Sequence, residues 1–233
     1  MNPEEATMKR WGIFIVIGVV VLTLSISGCG GGGGGGDGEL IVMASVAYDD
    51  DTGTAGAAII YRGGLPGFGG TPVENATVTI GGTDIPHVGM GTYQKLFPSS
   101  FTAGTSIDLE VQSGGSTYTA TVTMPYQPSV SEPTTGVKDP SNDIVVEWTI
   151  VASSDWYEIE VYDQATKSNV EYEGDEWVGS ARSHTIPGGS LPTTSTNLLA
   201  GVSAINGVSI SGLDMFSQFS AQSLGESASF TTQ

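Results

Sequence analysis

The chain has 233 residues, with 25 acidic against 7 basic side chains and a formal charge of −18. Phosphate backbones repel such a surface, so nucleic acid is excluded as a partner. With a single cysteine and only His87 and His184 as histidines, an internal disulfide, a cysteine-rich zinc site and an attached haem are excluded too.

Charged residues make up 14% and hydrophobic ones 39% of the chain, which sets it apart from a disordered polyelectrolyte. Its 34 glycines, with abundant serine and threonine, suit short strands joined by turns. The first element is an apolar run over 12–28, preceded by Lys9 and Arg10. This is the layout of an export signal, and as a helix it would reach roughly 25 Å, short of a bilayer core of ~30 Å. Glu4 and Glu5 are foreign to such a leader, so translation is expected to start at Met8 rather than Met1.

The run ends in Ile26-Ser27-Gly28-Cys29, which resembles the lipobox of bacterial lipoproteins. The resemblance implies cleavage before Cys29, lipidation of its thiol and amine, and a membrane anchor; the alternative is a plain transmembrane anchor. Gly30 stands where aspartate commonly marks inner-membrane retention, so by the same resemblance the expected location is the outer membrane of a Gram-negative bacterium. Residues 29–38 are the lipidated cysteine and a linker, all glycine from 30 to 36. Glycine loses the most entropy on ordering, so regular structure is not expected here, and nine such residues span about 16 Å on average. Removing 1–28 takes away two acidic and two basic groups and leaves the charge at −18. An anionic body near anionic headgroups is pushed outward.

From 39 to 125 the apolar pattern has the period of strands, not helices. Strands are expected over 40–48, 57–62, 75–80, 92–97, 107–112 and 117–123. The last two flank Ser113-Gly114-Gly115-Ser116, a hairpin signal. Ile107, Leu109 and Val111 share one face; Asp108 and Glu110 share the other. The stretch Pro72-Val73-Glu74-Asn75-Ala76-Thr77-Val78-Thr79-Ile80, followed by Gly91-Thr92-Tyr93, resembles carboxypeptidase regulatory-like and bacterial Ig-like modules, which implies a spacer or binding scaffold.

Pro128, Ser129, Ser131 and Pro133 mark a composition break, so 126–137 is expected to be a linker. Beyond it, 144–151 alternates with Ile144, Val146, Trp148 and Ile150 inward. Residues 156–162 alternate with Tyr157, Ile159 and Val161 inward and Trp156, Glu158, Glu160 and Tyr162 outward. Trp148, Tyr157, Ile186-Pro187 with Leu191, and Val202-x-Ala204-x-Asn206 give 138–233 a resemblance to fibronectin type III domains. That family carries a corner tyrosine where this chain has Leu198. A long connection over 207–227 holds Leu213, Met215, Phe216 and Phe219, more apolar surface than a loop should show. The expected fold is therefore all-β: two tandem Ig-like and fibronectin type III-like sandwiches behind a signal peptide and tether.

Candidate sites are sparse. Asp49-x-Asp51-x-Gly53 is half of a calcium loop, lacking the later ligands and the closing glutamate, so calcium is the one cofactor with any motif. Glu171, Glu173, Asp175 and Glu176 read as a charged strand edge that discourages aggregation. Trp156 and Tyr162 on one outer face, with Trp177 in an acidic stretch, could form a platform for an extracellular glycan. Met215, Phe216 and Phe219 are the candidate contact with an envelope protein. No serine sits in a nucleophile-elbow sequence, and the glycine run 63–70 lacks a phosphate-loop ending, so an enzyme is not expected. The reading is a surface-exposed, lipid-anchored, non-enzymatic binding or scaffold lipoprotein, with a glycan- or calcium-binding module as the alternative.

Overall fold

A computed structural model describes residues 38–49, 53–65, 69–99, 101–163, 169–176, 178–193 and 195–233. The leader, Cys29 and the glycine tether lie outside the described residues, as do Asp51 and Trp177. The described chain is all-β, with no helix among its elements.

In chain order the strands are β1 (Leu40–Asp49), β2 (Gly53–Arg62), β3 (Thr71–Pro72), β4 (Thr77–Ile80), β5 (Thr83–Asp84), β6 (His87–Gly89), β7 (Thr92–Leu96), β8 (Ser106–Ser113) and β9 (Ser116–Thr123). There follow β10 (Ser129–Glu132), β11 (Gly136–Lys138), β12 (Ile144–Thr149), β13 (Trp156–Asp163), β14 (Asn169–Glu176), β15 (Ser183–Ile186), β16 (Ser195–Ser209), β17 (Gln218–Glu226) and β18 (Phe230–Thr232). They form two compact units. One takes the described residues up to Thr123 together with Gly207–Ala221; the other takes Met124–Asn206 and Gln222–Gln233.

In the first unit β1 and β2 pair antiparallel from Leu40↔Arg62 to Asp49↔Gly53. Every residue of β1 from Leu40 to Ala47 is buried, so the strand reads as a continuous apolar run rather than an alternation. Next to β2 come β7 and then β6. A second sheet runs β5-β4-β8-β9. It faces β2 closely: a Cβ added at Gly56 would lie 3.2 Å from Ile80 Cδ1 and 2.7 Å from the Phe97 ring. The hairpin at 113–116 forms as expected, Ser113 opposite Ser116 with Gly114 and Gly115 both at positive φ. Ile107, Leu109 and Val111 are all buried.

The first unit also takes Gly207–Ala221, which ends within β17. The expected connection over 207–227 is instead the end of β16, a turn and the whole of β17. Asp214 shapes the turn by accepting the Phe216 N–H at 2.9 Å. Ser217 Oγ accepts the Val42 N–H of β1 at 3.1 Å. Phe219 is fully buried.

In the second unit β13 lies between β14 and β16, with β18 and β11 beyond β16. The opposing sheet is β10-β12-β15. Their shared core holds Val146 and Trp148 from β12, Tyr157, Ile159 and Val161 from β13, Leu198, Val202 and Ala204 from β16, and Phe230 from β18. The Trp148 and Tyr157 rings meet at 5.2 Å. Residues 126–137, expected as a linker, contain β10 and the first two residues of β11, and the chain passes from one sheet to the other between them.

Candidate functional site

The passage from β10 to β12 builds a concavity in the second unit. Asp139-Pro140-Ser141-Asn142 is a four-residue turn with proline at its second position, closed by the Asn142 N–H on the Asp139 carbonyl at 3.2 Å. The Asp139 carboxylate accepts the Ser141 Oγ–H at 2.6 Å, the Ser141 N–H at 2.9 Å and the Asn142 Nδ2 at 3.1 Å. The Ser141 hydroxyl first, then its amide, hold this carboxyl below the ordinary 3.8. Asp143 accepts the Gly188 N–H at 2.9 Å, and Glu132 accepts the Thr134 N–H at 2.8 Å.

These residues surround a cavity of about 300 Å³ whose walls include Glu132, Asp139 and Asp143, with Lys138 as the one cation. Its apolar wall includes Pro133, Val137 and Val145; the two valines are 65% and 42% exposed. Carboxylates beside open aliphatic surface can hold a cationic group on a hydrocarbon stem. Sequence reasoning passed over this place because each residue type is ordinary in a loop. Only the detour of the chain between the paired strands β10 and β12 brings Glu132 and Asp143 to the wall of one cavity.

The expected site residues fare differently. Asp49 ends β1, while its companion Asp51 is outside the described residues. Among the described residues no three of His, Cys, Asp and Glu gather to hold a metal ion. Trp156 and Tyr162 were expected to stand outward together, but Tyr162 is only 3% exposed and Trp156 is partly buried. The cause is Gly201, which leaves a socket: a Cβ there would come within 2.9 Å of the Tyr162 ring and 3.0 Å of Leu224. The ring fills that socket and its hydroxyl donates to Glu226. Glu158 and Glu160, also expected outward, are 4% and 8% exposed. Of the proposed contact patch, Met215 is 76% exposed, Phe216 is partly buried and Phe219 is core.

Both histidines have structural company. His184 Nδ1 lies 2.6 Å from Glu176 Oε1, and the His87 ring meets Tyr93 at 5.1 Å. Tyr93 ties a corner of the first unit: its hydroxyl donates to the Val73 carbonyl and accepts the Ala76 N–H, each at 3.0 Å. Burial raises its pKa above the ordinary 10.0, against the lowering by the Ala76 amide and with a smaller push from the Glu74 charge.

No protein-family model matches the chain, and no curated protein matches it. Among solved structures it is similar to the FN1–FN3 domains of chicken CNTN1, at 10% identity and a TM-score of 0.23, over 84% of this chain and 68% of that one. It is also similar to the fibronectin(III)-like modules of Clostridium thermocellum CbhA, at 11% identity and a TM-score of 0.23, over 81% of this chain and 94% of that one. Similarity at this level identifies neither a family nor a function.

Proposed function

We propose that the chain is a lipid-anchored lipoprotein displayed at a bacterial surface, most consistent with the outer membrane, whose strand-built units are a non-enzymatic binding or scaffold module of the cell envelope. One observation carries the reading. Ile26-Ser27-Gly28-Cys29 closes an apolar run behind Lys9-Arg10, and seven glycines separate it from the rest of the chain. Regular strands then begin at Leu40. The net charge of −18 favours a body held away from anionic headgroups. A glycan platform has lost Tyr162 to the core and would rest on Trp156 and Trp177.

Intact mass and a pull-down on protein extracted from its native membrane, with calcium present, test this. The expected result is a mass of residues 29–233 plus acyl chains, together with a stoichiometric envelope partner. Cys29→Ala should accumulate as an unlipidated precursor. An uncleaved wild-type chain would refute the anchor and make 12–28 a membrane span.

A further inference from the structure

We propose that the flank between β10 and β12 is a strand-addition site for an extended peptide of a partner protein, read through one lysine or arginine side chain. This rests on the binding-module reading and names the chemistry of the partner.

Two independent features meet at this flank. The first is an open backbone edge. β11 pairs in parallel with β18, from Gly136↔Phe230 to Lys138↔Thr232, and among the described residues no strand lies on its other side. The Gln233 N–H donates to the Lys138 carbonyl, so Lys138 turns its backbone toward β18. In a parallel ladder the N–H and C=O of one residue point to the same side, and consecutive residues alternate. The amide and carbonyl of Val137 therefore point to the open side, where an added strand would bond.

The second feature is the cavity beside that edge. Val137 and Val145 give it aliphatic walls, and Glu132 and Asp143 give it carboxylates. Each of these two carboxylates takes one backbone N–H, from Thr134 and Gly188. A carboxylate has sites for about four donors, so both retain capacity for an ammonium or guanidinium. Asp139 spends itself on Ser141 and Asn142 and contributes charge rather than a bond. A four-carbon stem against the valines with its cation on the Glu132 or the Asp143 carboxylate satisfies both walls. An acidic or neutral side chain would leave them unmatched. An extended strand on β11 brings alternate side chains to one face, which positions such a residue over the cavity.

The test uses the full mature protein in detergent and a fluorescein-labelled peptide, Thr-Val-Lys-Val-Thr, followed by anisotropy. The lysine peptide is expected to bind saturably and to weaken with salt. Replacing its lysine by norleucine should weaken binding roughly ten-fold, the loss of one charge-assisted contact, and glutamate should abolish it. Glu132→Gln and Asp143→Asn keep their acceptors for Thr134 and Gly188 and should each cost several-fold. Val145→Lys, at an exposed position, should abolish binding without touching a backbone bond. N-methylating the peptide backbone should also abolish it.

Equal binding of the lysine, norleucine and glutamate peptides, or no binding at all, would overturn the proposal. So would 1,5-diaminopentane binding as tightly as the peptide, since that marks a small-amine site. An envelope partner retained equally by wild type and by Glu132→Gln/Asp143→Asn would sink this site while leaving the binding-module reading standing.

Discussion

At the scale of single residues, Tyr93 is the clearest structural test. Its hydroxyl serves Val73 and Ala76 at once, and removing it strands a buried carbonyl and a part-buried amide. Tyr93→Phe is expected to lower the unfolding free energy by about 1–3 kcal/mol in urea denaturation. The same residue gives a pH signature. Burial raises its folded pKa above 10.0, so the unfolded state loses this proton first as pH rises. Its contribution is complete below the unfolded value near 10 and is lost as pH rises through the folded value. Tyr93→Phe should flatten that alkaline part of the stability profile. Gly201 makes the complementary case, since the Tyr162 ring occupies the space a Cβ would take. Gly201→Val should cost about 1–3 kcal/mol by overpacking and change the near-ultraviolet circular dichroism as the ring is displaced.

At the scale of elements, the strands that were legible in the sequence are those with one wet face. β8 and β12 alternate in burial residue by residue, so Ile107, Leu109, Val111, Ile144, Val146 and Trp148 declared themselves. β17 did not. Its interior from Phe219 to Gly225 is buried without alternation, and it is made largely of Ser, Ala, Gln and Gly. A strand covered on both faces and built from small polar residues carries neither an apolar period nor an apolar run. The same covering misled the reading of β13, whose alternation is sound but whose second face is buried too. The flank cavity was illegible for another reason: Glu132 and Asp143 come to one cavity wall only through the tertiary path from β10 to β12, and no local pattern records that. The reassignment of 207–227 is checked by a pair of substitutions. Phe219→Ala should cost about 3–5 kcal/mol as a core truncation, whereas Met215→Ser, at an exposed position, should stay within about 0.5 kcal/mol. Equal effects in thermal denaturation would show that β17 is misplaced.

At the scale of the whole molecule, the two units are not two consecutive stretches of chain. Gly207–Ala221 belongs with the residues that end at Thr123. A fragment covering 39–125 therefore lacks β17 beside β1, along with the Ser217 hydroxyl that receives the Val42 amide. β1 is apolar on both faces, and without that neighbour it presents an unpaired hydrophobic edge. The fragment is expected to aggregate or to give collapsed amide dispersion in NMR, and supplying 207–233 in trans should improve it. A fragment as well dispersed as the full chain would show that the first unit needs no help from the C-terminal hairpin.

That dependence reaches into biosynthesis. A chain made and delivered N-terminus first has all of β1 to β9 available long before β17 exists. Local hairpins such as 106–123 can close at once, but the β1–β17 pairing must wait for a partner some 175 residues downstream. Until Ala221 has been synthesised, the first unit cannot lock. An early-folding module jams a narrow translocation channel, and a late-locking one remains threadable. If the chain is exported as proposed, the hairpin near residue 220 acts as the latch, and its position sets the moment when the first unit stops being a thread.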